Sequence, residues 1–82
     1  MTKNFVVAYS GMAQGHKIIC PGGYHQRFID DGKQAQVYLN FLEAVNRLGT
    51  QHGTWAELPD TPEVRQLIAD MDAHEAAQNP QL

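Results

Sequence analysis

The chain reads as an α+β protein: a small three-stranded antiparallel sheet followed by two amphipathic helices, in the order β-β-β-α-α. Two observations predict this. Up to about residue 32 the apolar residues come in short β-branched and aromatic runs, and beyond it they recur at helical spacing. The sharpest turn signal, Cys20-Pro21-Gly22-Gly23, lies between two of the early runs and joins them as a hairpin. The two helices are expected to cover one face of the sheet. Residues 1–78 are expected to form one domain, and residues 79–82, around Pro80, a C-terminal tail.

Asn4–Ser10 (NFVVAYS) is the first predicted strand, and its near-continuous apolar run suits a central, well-buried position. Gly11–Gly15 is a loop, and Lys17–Cys20 the second strand. The Pro21-Gly22 pair fits a type II turn, proline presetting φ at the second position and glycine accepting positive φ at the third. Tyr24–Ile29 alternates in polarity, as a third strand nearer an edge would. After the Asp30-Asp31-Gly32 turn, Tyr38, Phe41, Leu42, Val45 and Leu48 form one helical stripe within Lys33–Leu48, with Gly49 placed as its C′ residue. Asp31-Gly32 is also a hairpin signal, so Ala35–Tyr38 could instead begin as a fourth strand. Thr50–Asp60 reads as a long loop. Thr61 then caps a second helix, Pro62 suits its first position, and Glu63 favours its N-terminal dipole. Val64, Leu67, Ile68 and Met71 are its apolar stripe, and it is expected to fray near Ala77.

Composition narrows the function. The chain has 82 residues, a net charge of −3 and a single cysteine, so it holds no internal disulfide and suits a reducing, cytoplasmic setting. The apolar run at Phe5–Tyr9 is too short for a membrane span or a signal-peptide core. Residues 1–55 carry five basic and three acidic side chains, whereas residues 56–82 carry one basic and six acidic. No basic cluster could grip a phosphate backbone, so direct nucleic-acid binding is not expected. A protein partner with a basic surface suits the acidic half better.

Residues His16–His25 (HKIICPGGYH) gather the cysteine and two of the four histidines. His16, Cys20 and His25, with His52, are candidate zinc ligands, but zinc motifs use short paired spacings. On an extended strand His16 and Cys20 stand about 13 Å apart, too far for one tetrahedral ion. Cys20 as a nucleophile would need an imidazole in reach, yet the hairpin turns His25 to the other face. Gly11-x3-Gly15 lacks the lysine and hydroxyl of a phosphate loop. Asp30 and Asp31 read as turn residues, and Asp70 and Asp72, two apart on a helix, do not face each other. No catalytic residue, metal or cofactor is therefore assigned. Phe5, Tyr9, Phe28, Tyr38 and Phe41 read as core. Trp55 reads as an anchor pinning its loop to the core with a partly exposed rim, or else as an interface hot spot.

The strongest functional signal is the second helix, where Glu63, Asp70, Asp72 and Glu75 make an acidic face flanked by Glu57 and Asp60. With Trp55, these residues are the candidate partner-binding set. At the level of size and charge only, the chain resembles small accessory proteins of phages and mobile elements, anti-CRISPR proteins among them. That resemblance implies a non-enzymatic protein that binds and blocks or modulates a larger partner. Two alternatives stand beside it. One is a homodimer joined through a strand edge or the apolar side of the Tyr38–Leu48 helix. The other is a metal- or thiol-dependent site at His16–His25.

Overall fold

A computed structural model describes residues 4–22 and 26–78. In chain order it contains β1 (Phe5–Ser10), β2 (Gly15–Ile19), β3 (Gln26–Asp30), α1 (Gln36–Leu48), β4 (Thr50–Gln51), β5 (Trp55–Leu58) and α2 (Pro62–Gln78). The α+β class stands, but the sheet has five strands rather than three, in the antiparallel order β3-β2-β1-β5-β4. The apolar run of β1 occupies the middle position.

The two extra strands lie in the segment expected to be a loop. His52 N–H donates to the Trp55 carbonyl at 2.8 Å, and Gly53 takes the positive φ of 81° that closes the turn between β4 and β5. β5 alternates as a half-buried strand should: Ala56 and Leu58 face the core, while Trp55 and Glu57 share the register of Ala8 and Val6.

The core lies on one face of the sheet. Phe5 and Val7 of β1, Ile18 of β2, Ile29 of β3, and Ala56 and Leu58 of β5 pack against Tyr38, Phe41 and Val45 of α1 and Val64 and Met71 of α2. Leu42, Leu48, Leu67 and Ile68 complete the helical stripes as partly buried residues. Two of the five aromatics assigned to the core are outside it, Tyr9 at 45% and Phe28 at 40% exposure. Phe28 pairs with Lys17 and so lies on the uncovered face, and Tyr9 sits past the end of the helices' coverage.

Helix ends differ in their chemistry. α1 starts at Gln36, three residues after the expected Lys33, from an extended Ala35 that offers no side-chain cap, and Ala35–Tyr38 is not a strand. Gly49 is not left-handed: its φ is −80°, and its N–H donates to the Val45 carbonyl at 2.9 Å. A Cβ there would come within 2.4 Å of that carbonyl oxygen, so close approach is what requires glycine. α2 begins as its sequence predicts, with Thr61 Oγ1 accepting from Val64 N–H at 3.3 Å. Gly22 has the positive φ of 89° expected of the turn after Pro21. Gly23, Tyr24 and His25, and the tail 79–82, lie outside the described residues. No helix among the described residues is long and apolar enough to cross a membrane.

Candidate functional site

The sheet has a covered face and a bare one. Register places Phe28, Lys17, Ala8 and Trp55 side by side across β3, β2, β1 and β5 on the bare face. With strands about 4.8 Å apart, Phe28 and Trp55 bracket a row roughly 14 Å wide. Ile19, Val6 and Glu57 form the adjacent row. Trp55 is 38% exposed and stacks on the His52 ring, with centroids 4.3 Å apart and planes at 17°. His52 Nε2 lies 3.4 Å from Glu57, whose other carboxylate oxygen accepts from Asn4 Nδ2 at 2.7 Å. Trp55 is thus held by a neighbouring ring on the face away from the core, not pinned onto the core. Phe28 is held in another way: a Cβ on Gly15 would lie 2.3 Å from its Cζ, so the ring rests on the glycine.

The acidic residues of α2 are on the other side of the sheet from Trp55, and most are already engaged. Asp72 pairs with Arg27 of β3, and Glu63 with Arg47 of α1. Glu75 accepts from Lys33 Nζ and from the Tyr38 hydroxyl, each at 3.0 Å. Those bonds, led by the one from Lys33, hold the Glu75 carboxyl below its usual range. Asp60, just before the helix, takes a two-pronged bond from Arg65 at 2.6 and 2.8 Å, which likewise lowers its pKa. Asp70 accepts only from Gln66 Nε2, at 2.9 Å. Most of the helix's charge therefore ties α2 to β3, to α1 and to the segment before α1. Sequence reasoning missed this because each partner is remote in the chain.

Asp30 ends β3 and Asp31 follows it, with no cationic partner for either among the described residues. Asp30 Oδ1 accepts from Gly32 N–H at 2.7 Å, the turn role expected of it. Asp31 Oδ2 accepts from the Tyr9 hydroxyl at 2.8 Å. Tyr9 in turn meets His16 edge to face, centroids 5.0 Å apart.

The remaining candidates are dispersed. Cys20 is half-buried at a cavity of about 240 Å³ lined by Phe5, Arg65, Ile68 and Asp72. Burial pushes its thiol pKa up, with Arg27 the main opposing charge, and a protonated thiol is a poor nucleophile. No group of three or more His, Cys, Asp or Glu side chains that could hold a metal occurs among the described residues. His25 is outside them. No protein-family model matches the chain, and neither curated proteins nor solved structures yield a match.

Proposed function

We propose that this chain is a small non-enzymatic interaction module that binds and blocks or modulates a larger protein, and that the bare sheet face is the surface it uses. The observation that carries this reading is the Phe28–Lys17–Ala8–Trp55 row. It sets two large, partly exposed aromatic side chains on strands of one sheet, with Lys17 beside Phe28 and Ala8 beside Trp55. Exposed Trp flanked by apolar neighbours is the side-chain type that dominates interface energetics. Asp30 and Glu57 share this face with Lys17, its single lysine or arginine among the described residues, so a partner with an apolar patch and a basic rim complements it. The acids of α2 support such a partner at longer range, through net charge rather than contact.

The test is a comparison of variants on one captured partner. The tagged chain is used to isolate partners from the source cell, and the purified pair is then titrated calorimetrically. Trp55→Ala or Phe28→Ala is expected to weaken association at least tenfold without loss of fold. Asp70→Asn is expected to change it less than twofold, and raising salt to weaken it moderately. Equal binding by the parent and both aromatic variants would remove the sheet face from consideration. A stronger effect of Asp70→Asn would favour the acidic helix instead.

A further inference from the structure

A cavity lies at the uncovered end of the helix-covered face, with Trp55 at its border. Its volume is about 320 Å³. Val7 and Ala56 of the sheet and Val45 of α1 supply its apolar lining, Tyr9 and His16 its aromatic wall, and Asn46, Gln51 and Thr54 its polar rim. It exists because α1 ends at Leu48 and α2 packs beside α1, so neither helix reaches over Tyr9. The side chains of His16, Asn46, Gln51 and Thr54 form no hydrogen bond among the described residues. The Asp31 carboxylate accepts from the Tyr9 hydroxyl and has no cationic partner among the described residues.

We infer that this pocket receives an arginine side chain of the partner, an inference that rests on the interaction-module reading. Charge excludes anionic occupants. The lining contains no lysine or arginine, so a phosphate or carboxylate would find no counter-charge there, while the nearest carboxylate that a lining residue touches is Asp31, on the Tyr9 hydroxyl. A cationic group meets the reverse situation. An arginine stem can lie along Val7, Val45 and Ala56, since such side chains bury their methylenes while keeping the head polar. A planar guanidinium can stack on the Tyr9 or His16 ring and donate to the amide oxygens of Asn46 and Gln51. The Asp31 carboxylate supplies the attraction that draws the cation in. A lysine ammonium fits less well, because it is a strongly hydrated point charge that does not stack as a plane. The pocket and the bare face both adjoin the end of the sheet where Asp30 and Asp31 have no cationic partner among the described residues, so one basic partner could engage both.

The probe is N-acetyl-arginine methylamide, followed by NMR of the parent protein. The neutral isostere N-acetyl-citrulline methylamide and the lysine analogue serve as controls. The arginine probe is expected to cause saturable shifts of the Val7 and Val45 methyls and the Tyr9 and His16 rings, with millimolar affinity. The lysine probe is expected to bind at least threefold more weakly, and the citrulline probe to give no saturable shift. Asp31→Asn, with an unchanged melting temperature, is expected to weaken the arginine probe at least fivefold. Should Asp31→Asn disturb the turn, Gln51→Ala provides the second variant, with a smaller weakening expected. Equal binding of arginine and citrulline probes, shifts centred elsewhere, or no saturable shift at 50 mM would overturn the pocket assignment. Trp55 also borders the pocket whereas Phe28 does not, so Phe28→Ala tests the bare face alone, Asp31→Asn tests the pocket alone, and the two readings fail separately.

Discussion

The Arg27 guanidinium on β3 is paired with the Asp72 carboxylate on α2 while its own side chain is only 15% exposed. Its Nε and Nη1 lie buried without a hydrogen-bond partner among the described residues. An acid that looked in the sequence like an outward-facing charge thus neutralises a cation tucked under the helix.

This asymmetry predicts unequal effects from the two halves of one pair. Asp72→Asn leaves a mostly buried charge uncompensated and is expected to cost about 2–3 kcal/mol. Arg27→Met removes the charge together with its two unmet donors, leaving a half-exposed carboxylate that water can solvate. It is expected to cost less than about 1 kcal/mol. Urea midpoints of the two variants measure the difference, and Asp70→Asn, expected to stay within about 0.5 kcal/mol of the parent, is the control.

Acid and alkali should both weaken the tie between Lys33 and Glu75. Glu75 is held below its usual 4.5, first by the Lys33 bond, so its contribution is full above 4.5 and disappears as pH falls through the lowered value. Lys33 is raised above its usual 10.5 chiefly by the same bond, so its contribution is full below 10.5 and disappears as pH rises through the raised value. Tyr38, raised by burial and then by Glu75, adds to the alkaline loss. Denaturation across pH should show this contribution constant between 4.5 and 10.0. Glu75→Gln should cost about 1 kcal/mol at neutral pH and flatten the acid limb.

Gly15→Ala should be costly although the position is in a strand. Its Cβ would sit 2.3 Å from both the Ile29 carbonyl oxygen and Phe28 Cζ. The ring can move but the backbone oxygen cannot move without disturbing the β2–β3 pairing. A loss of about 2 kcal/mol is expected by thermal or chemical denaturation. Adding Phe28→Ala should return only part of it.

Trp55 and Leu58 lie in the same strand yet should respond unequally. Leu58 is fully buried, so Leu58→Ala should cost about 2–4 kcal/mol. Trp55→Ala removes an exposed ring stacked on His52 and should cost about 1 kcal/mol. Since Trp55 is the sole tryptophan, its emission reports the bare face directly, and a partner seated there should shift it to the blue.

The local elements were largely legible. The Phe5–Ser10 run, the Pro21-Gly22 turn, the Tyr38–Leu48 stripe and the Thr61-Pro62-Glu63 start each depend on neighbours in sequence, where side-chain type and period carry the signal. The Trp55–Leu58 strand was missed although it alternates, because it is short and begins beside His52-Gly53, which reads as loop. Its stability comes from pairing with β1, roughly fifty residues away, and no local pattern encodes that partner. Of the candidate site, Trp55 was legible as an unusual residue but not by its face. The pairing of the helix acids was not legible, since Arg27–Asp72 and Lys33–Glu75 each join residues more than forty apart.

By itself the amino-acid order determined the class of fold, the helix faces, the turn at Pro21-Gly22 and the acidic balance of the last third. These follow from periodicity, backbone preference and composition, which act over a few residues. Only the tertiary structure decided that β5 joins β1, that Phe28 and Trp55 share a bare face, and that Asp72, Glu75 and Glu63 act mainly as struts. Register fixes which face a strand residue takes, and folding brings remote charges within pairing distance. Both are properties of the assembled sheet and helices rather than of any segment.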